Sequence, residues 1–445
     1  MQPVNIGIIG LGNVGLGTLD VLAENSDLIA QKLGFPLCVV ALCSRGVAQR
    51  HVPSAFASAH RTSNWREVVN HPSVHIVAEL VGGVTTAREI IEGCIAQGKS
   101  VVTANKELMA LAGPDLWAKA VAKRVNISME PSVAGGIPIH HVLREGIAAD
   151  RVTTFYGILN GTCNYILTSI EQHGFSFEHV LLEAQRAGYA EADPSADVDG
   201  FDSRSKLAIL AALAFGERIV PSDIYTEGIR RITPIDFEYA HQLHHTIRLI
   251  CAARQTRAGV LLSVRPSLIP QSTILASVRG AYNAIWVRGK FGGDTFYYGR
   301  GAGAHPTGVA VASDLMSVAR EIRHGGPDRV SPFAHARLGA YKPISVTLHE
   351  SAYYLRFRVA DRPGIIAQLA TALAAENVSI DAVLQLPHSN WRDLPFVITT
   401  QPTTEASIRA AIVRMAELNF LVEPPLALPM EEALTSEKTP PAPIS

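Results

Sequence analysis

Between Gly188 and Ile209 the chain reads GYAEADPSADVDGFDSRSKLAI, with the carboxylates of Glu191, Asp193, Asp197, Asp199 and Asp202 ahead of Lys206 and an apolar run. Three chemistries compete for such a patch: a calcium loop, a solvated helix entrance, or a site that pairs a proton-carrying lysine with carboxylates. An EF-hand loop would take Asp197, Asp199 and Gly200 at its third, fifth and sixth positions, but its twelfth would be Lys206. A cation where the bidentate glutamate belongs rules calcium out. A solvated entrance conflicts with 207–215, LAILAALAF, which is apolar nearly all round and belongs in a core. The first turn of such a helix is carried inward with the rest. On it Asp202 and Lys206 are four residues apart and share a face. On a surface that pair contributes only about 0.3–0.5 kcal/mol. In a site, Lys206 is a general acid and base, Asp202 holds it in place, and Glu191 and Asp197 are available to a substrate ammonium group.

Two further stretches bear on ligands. The run VTANK places Lys106 at the end of a strand, and open α/β sheets bind ligands outside the carboxyl ends of their strands. Position alone leaves open that Lys106 is simply the first-turn lysine of the next helix. Residues 130–138, EPSVAGGIP, offer one carboxylate and a glycine turn whose backbone carbonyls can face inward. That is ligation for a hard monovalent ion, not for zinc. Adjacent histidines at 140–141 and 244–245 point about 100° apart on a helix and chelate poorly.

The elements that must position these groups begin with an apolar strand over 5–9, then Gly10-Leu11-Gly12-Asn13-Val14-Gly15, then a helical pattern. In that context the glycines allow a tight turn and close approach of backbone N–H groups to a pyrophosphate at a helix N-terminus. Gly10, Gly12, Asn13, Val14 and Gly15 are therefore candidate cofactor contacts. Strands follow over 37–43, 75–81, 100–104 and 125–129, with helical stretches such as 86–97 between them. This alternation predicts an α/β fold with a doubly wound parallel Rossmann-type sheet. The second strand ends in Cys43-Ser44-Arg45, and no acid occurs from 34 to 64, where an NAD enzyme usually keeps a carboxylate for the ribose 2'-hydroxyl. Arg45 could meet a 2'-phosphate instead, which favours NADP(H) over NAD(H).

With 445 residues, 47% hydrophobic and 18% charged, the chain has material for two or three domains. A net charge of -1 supplies no field for nucleic acid or an anionic membrane surface, so small-molecule ligands are expected. MQPVNIGIIG lacks the basic stretch of a secretory signal, and the longest apolar run, 207–215, is well short of the roughly 18 residues a membrane span needs. Five cysteines without a C-x-x-C pair read as reduced, mostly buried thiols, and the expected compartment is the cytoplasm.

Domains are expected over 1–140 for the nucleotide platform and over 141–299 for an α+β unit; the resemblance described below implies that about 300–322 completes the first and that the second binds substrate and dimerises. A strand is expected over 152–159, closed by Asn160-Gly161-Thr162, whereas 220–286 shows no chemical signature. A linker over 323–345 leads to a module over 346–430. Strands over 353–359, 378–386, 394–400 and near Leu421, with helices over 365–376 and 405–418, give the order βαββαβ of a ferredoxin-like unit. The tail, 431–445, is expected to be disordered.

Gly10 to Gly15, TANK at 103–106, EPSVAGGIP at 130–138, GILNGTCNYIL at 157–167, the acidic patch through Leu210, and GRGAGAHPT at 299–307 together resemble homoserine dehydrogenases, in order, from residue 5 to about 320. VADRPGIIAQLATALAAENVSI resembles an ACT domain. The resemblance implies NAD(P)H-dependent, reversible reduction of L-aspartate 4-semialdehyde to L-homoserine, in threonine and methionine biosynthesis. It places the catalytic lysine on Lys206, with its acidic partner on Asp202, and a second lysine, near nicotinamide and substrate, on Lys106. Substrate binding falls on Glu191, Asp197 and Thr162, and a cofactor contact on Gly303. A sodium site falls on Glu130 with the carbonyls of Val133, Gly135 and Ile137. A homodimer or homotetramer is implied, with threonine as the effector of the ACT domain, where Asn377 and the helix after Gly364 are the candidate contacts. Departures from the usual pattern are Pro131, Cys163, Ser203 and Ser205; none removes a catalytic group, although Pro131 touches the ion loop. A non-catalytic sensor reusing the fold would have lost its lysines, and a dehydrogenase for a related amino-acid aldehyde would share the fold.

Overall fold

The computed structural model describes residues 2–324, 333–335, 337–387 and 390–434. The tail after 434 and part of the linker over 323–345 fall outside the described residues. The chain forms two compact units, one from Met1–Phe155, Asp202–Ile224 and Asn283–Tyr341, the other from Tyr156–Phe201, Tyr225–Tyr282 and Lys342–Ser445.

The first unit is built on six parallel strands, β1 (Val4–Ile9), β2 (Leu37–Cys43), β3 (His60–Thr62), β4 (Ile76–Glu79), β5 (Ser100–Thr103) and β6 (Ile127–Ser128). Their order is 3-2-1-4-5-6, the doubly wound sheet implied by the alternation of strand and helix. Its helices include α1 (Asn13–Glu24), α2 (Ser26–Leu33), α3 (Trp65–Asn70), α4 (Thr85–Ala96) and α5 (Lys106–Lys123). Central strands covered on both faces need apolar side chains on both, and β1 and β4 are accordingly buried almost throughout. Strand order reverses between β1 and β4, which opens a crevice at their carboxyl ends. The short β3 has no sequence signal because His60-Arg61-Thr62 carries neither apolar alternation nor length.

Two later segments join this unit. The helix Ala304–His324 sends Val311, Leu315 and Val318 into the core of Ile6, Ile8 and Leu19. Its approach to α1 is glycine-dependent: a Cβ on Gly17 would lie 2.3 Å from the Ala304 carbonyl oxygen. The helix Phe201–Phe215 is buried from Asp202 to Phe215 on nearly every face, as its composition requires.

In the second unit the antiparallel pair His245–Thr256 and Gly259–Pro270 runs in unbroken register. This pair lies in the stretch without a chemical signature; both of its faces are largely buried, and Arg248, Arg254 and Arg265 interrupt the apolar runs. Leu268 pairs with Met430 of the last strand, which continues the sheet into the C-terminal module.

That module contains Glu350–Val359, Ile365–Ala375, Ile380–Leu384, Leu394–Thr400, Glu405–Met415 and Leu426–Met430, in βαββαβ order. Its antiparallel strands lie in the order 4-1-3-2, as a ferredoxin-like unit requires. Tyr353, Leu355, Phe357 and Val359 face the helices, meeting Leu369, Leu373, Ile408 and Met415. The opposite face of the same strand carries Tyr354 and Arg356, both directed at the buried Asp236. The last strand is not at Leu421, which makes a single bridge to Val359. Pro424 and Pro425 delay strand entry to Leu426 because proline lacks the ladder donor.

Candidate active site

Strand β5 ends at Thr103, and Asn105 turns the chain into α5. The Asn105 side-chain oxygen accepts from Leu108 N–H at 3.0 Å, a cap that makes Lys106 the first helical residue. Lys106 Nζ lies 2.7 Å from Asp202 Oδ1, and Lys206 Nζ lies 2.7 Å from Asp202 Oδ2. One carboxylate thus holds two ammonium groups. Asp202 and Lys206 are each only 7% exposed, whereas the Lys106 side chain is 42% exposed. Burial alone would raise the Asp202 carboxyl; the charges of Lys206 and Lys106 overcome it and hold the group ionised, well below the usual carboxylate range. The arrangement carries a net positive charge beside the crevice of the sheet, with one lysine sheltered and the other reachable.

The three glycines of the first turn do different things. Gly10 has φ +105, and a Cβ there would strike the Leu80 carbonyl oxygen at 2.5 Å. A Cβ on Gly15 would stand 2.0 Å from the Gly10 carbonyl oxygen, so this glycine lets helix and strand pack. At Gly12 the same Cβ would meet nothing within 4 Å. That opening lies at the N-cap of α1, which has no side-chain cap and no acid in its first turn. The first N–H groups of the helix, from Asn13 and Val14 onward, therefore suit a pyrophosphate. Arg45 is exposed just beyond β2. Gly303, at φ +132, leads into the helix that packs on α1.

The ion loop is buried. Glu130 accepts from His140 N–H at 3.0 Å and His141 N–H at 2.9 Å, and its own N–H donates to Asp314 Oδ2 at 3.0 Å. Burial, then the Asp314 charge, push the Glu130 carboxyl up to about 7. Gly135 and Gly136 donate to the carbonyls of Gly301 and Arg300, while Ile137 O accepts from Ile139 N–H at 2.7 Å. Pro131 sits at the start of a 3-10 turn over Glu130–Ser132, where a missing N–H costs nothing. His141 Nε2 lies 3.7 Å from Glu130 Oε2 and 3.4 Å from Asp314 Oδ1, so the two buried carboxylates face one imidazole, and Asp314, then Glu130, raise its pKa. Among the described residues no three His, Cys, Asp or Glu side chains are grouped to hold a metal.

Thr162, Glu191 and Asp197 belong to the second unit. Asn160 caps the helix Gly161–His173 by accepting from Cys163 N–H at 2.8 Å, and its amide donates to Asp197 Oδ1 at 2.6 Å. The Thr162 hydroxyl donates to the Tyr189 carbonyl at 2.7 Å, and the Glu191 side chain is exposed. Asp199 is engaged by Arg230 at 2.5 Å, and Asp193 accepts from Ser195 N–H at 3.0 Å. The acidic patch is therefore divided among separate tasks. Asn160 carries a sequence signal in the Asn-Gly-Thr at a helix start, whereas Asp314 and the buried Glu79 carry none at short range.

Near the N-terminus of the helix Ile365–Ala375 lies a cavity of about 160 Å³, lined by Asp361, Arg362, Gly364, Ile365, Gln385 and Phe396 among others. Asn377 is not among its lining residues: at φ +57 it closes the far end of that helix. No helix among the described residues is long and apolar enough to cross a membrane.

Comparison with known proteins gives three family models. Residues 138–316 match the homoserine dehydrogenase model, 10–130 its NAD binding domain and 353–417 the ACT domain. A homoserine dehydrogenase of Neisseria gonorrhoeae is 40% identical, covering 97% of this chain and 99% of its own length. The solved homoserine dehydrogenase of Thiobacillus denitrificans is 40% identical over 97% of this chain and 99% of its own, with a TM-score of 0.90. A hyperthermophilic archaeal homoserine dehydrogenase, solved as a mutant in complex with NADPH, is 25% identical over 72% of this chain and 98% of its own, with a TM-score of 0.62.

Proposed function

The chain belongs to the homoserine dehydrogenase family, and on that premise we propose how its side chains divide the family's reaction. It is an oxidoreductase that interconverts L-aspartate 4-semialdehyde and L-homoserine with a nicotinamide cofactor. When bound, the nicotinamide supplies or receives the hydride. The chain must then bring a proton to the aldehyde oxygen in reduction and remove it in oxidation. Lys206 is that acid and base, Asp202 fixes its ammonium, and Lys106 presents the second positive charge toward cofactor and substrate. The observation that carries this assignment is the single buried carboxylate with an ammonium 2.7 Å from each oxygen.

Glu191 and Asp197, with Thr162, bind the substrate's ammonium end; the hold of Asn160 on Asp197 supports a fixed anion there. Gly10, Gly12, Asn13, Val14, Gly15 and Gly303 cradle the dinucleotide, and Arg45 reads a 2'-phosphate, so NADP(H) is preferred. The archaeal relative's NADPH complex supports that preference. Glu130 and the carbonyls of Val133, Gly135 and Ile137 hold Na+, which would neutralise the buried carboxylates and fix the loop. Threonine, bound in the cavity after Gly364, is the effector of the ACT domain. We assign 1–140 with 300–322 to the cofactor, 141–299 to substrate and dimerisation, and 346–430 to regulation. The functional form is a cytoplasmic homodimer or homotetramer. The test is oxidation of NADPH and of NADH by aspartate semialdehyde, with and without threonine. Faster turnover with NADPH and inhibition by threonine are expected; no turnover with either cofactor would sink the assignment.

A further inference from the structure

Glu79 ends β4 inside the sheet and is fully buried. It pairs in register with Ile9 of β1 and Thr103 of β5, and so stands beside the crevice where strand order reverses. Oε1 accepts from Val81 N–H at 2.9 Å and Oε2 from the Thr103 hydroxyl at 2.6 Å. Thr103 Oγ1 in turn accepts from Asn105 N–H at 3.0 Å. Asn105 then reaches back with its amide to the Gly83 carbonyl at 2.7 Å and forward with its oxygen to cap α5. The next residue is Lys106.

We propose that Glu79 is a positioning residue for Lys106, tying the ends of β4 and β5 so that the capped helix presents its first lysine to Asp202. The inference rests on the role given to Lys106 above. Direction in the hydrogen-bond chain explains why the residue is a glutamate. Thr103 oxygen receives Asn105 N–H, so its own hydrogen must point at Glu79, while Val81 N–H points at the other oxygen. Both ends demand an acceptor, which only an ionised carboxylate offers; a glutamine amide turned either way sets donor against donor at one end. Burial pushes the carboxyl up to about 7, so the ionised form is costly here and an apolar side chain would have packed without that cost.

The test compares Glu79→Gln, Thr103→Val and Lys106→Met, singly and combined, in the full-length protein. Thr103→Val breaks the same link from its other side and covers the case in which the buried Glu79→Gln variant does not fold. Displacing a catalytic group by about 1 Å can cost roughly 100-fold. Accordingly kcat of the folded protein should fall about 10- to 100-fold in Glu79→Gln and in Thr103→Val, with the KM for aspartate semialdehyde changed by less than about 3-fold. On the Lys106→Met background neither substitution should lower kcat further. A merely structural role would lower the melting temperature and persist on that background, which would overturn the proposal. A large loss in Lys106→Met with none in the other two would overturn it alone. No loss in Lys106→Met would remove the role of Lys106, and this inference with it.

Discussion

Replacing Asp202 by asparagine tests the two-lysine arrangement directly. The carboxylate gives one oxygen to each ammonium at 2.7 Å. Asparagine keeps one acceptor and turns an amide N–H toward the other lysine, so one ammonium loses its 2.7 Å carboxylate contact and the site gains a unit of positive charge. Breaking a buried pair costs about 3–5 kcal/mol. Because Lys106 is 42% exposed and water can take it over, the low end, about 3 kcal/mol, applies. For a cooperative unit of roughly 150–250 residues that is a fall of about 6–12 °C in Tm. Loss of a positioned acid should also lower kcat by about 100-fold or more. The pH dependence has a definite sign. The folded carboxyl lies below its ordinary value, so the pair's contribution is complete above about pH 4 and is lost as pH falls further. The gap in Tm between wild type and Asp202→Asn should thus be flat from about pH 5 to 8 and close below about 4. Thermal scans and initial rates across that range measure both. A Tm within about 2 °C of wild type with kcat reduced less than about 3-fold would refute the reasoning, since that shift corresponds to well under the roughly 3 kcal/mol assigned to the pair.

Gly12→Ala and Gly15→Ala should separate binding from folding: the first adds a methyl to open space and should weaken NADPH by at least about 10-fold with Tm kept, whereas the second collides with the Gly10 carbonyl and should lower both, by fluorescence titration and thermal scan. Na+ should raise Tm relative to tetramethylammonium at equal ionic strength, by an amount equivalent to about 2.7 kcal/mol at 100 times its Kd, and Glu130→Ala should abolish the difference. Arg265→Met removes one of two arginines on Glu405, which keeps Arg409 at 2.9 Å and the Tyr353 hydroxyl at 2.7 Å, together with a donor to His349, and should cost about 1–3 kcal/mol in urea unfolding.

Much of this site was legible because its signals are local. A strand, three glycines and a helix N-terminus occupy a dozen residues, and Asp202 and Lys206 are neighbours on one turn of a helix whose composition already required burial. From its residues alone Lys106 was legible only as a strand-end lysine, and the family resemblance added a place near nicotinamide and substrate; that it shares the Asp202 carboxylate depends on packing between segments far apart in the chain. Glu79 and Asp314 were illegible for the same reason, since each acts through a partner distant in sequence. In the second unit the register and length of the long hairpin were not legible, because burial on both faces erases alternation and its internally paired arginines interrupt the apolar runs. The last strand was misplaced because Leu421 has the right composition, while the two prolines that defer pairing follow it.

Lys206 carries the proton in the proposed reaction, so the most direct measurement is the pair of constants kcat and NADPH Kd in Lys206→Ala. Turnover should be largely abolished while Kd stays within about 2-fold of wild type, as for loss of a general acid and base from an intact cofactor cradle. A comparable loss of NADPH binding, or substantial remaining turnover, would contradict the assignment.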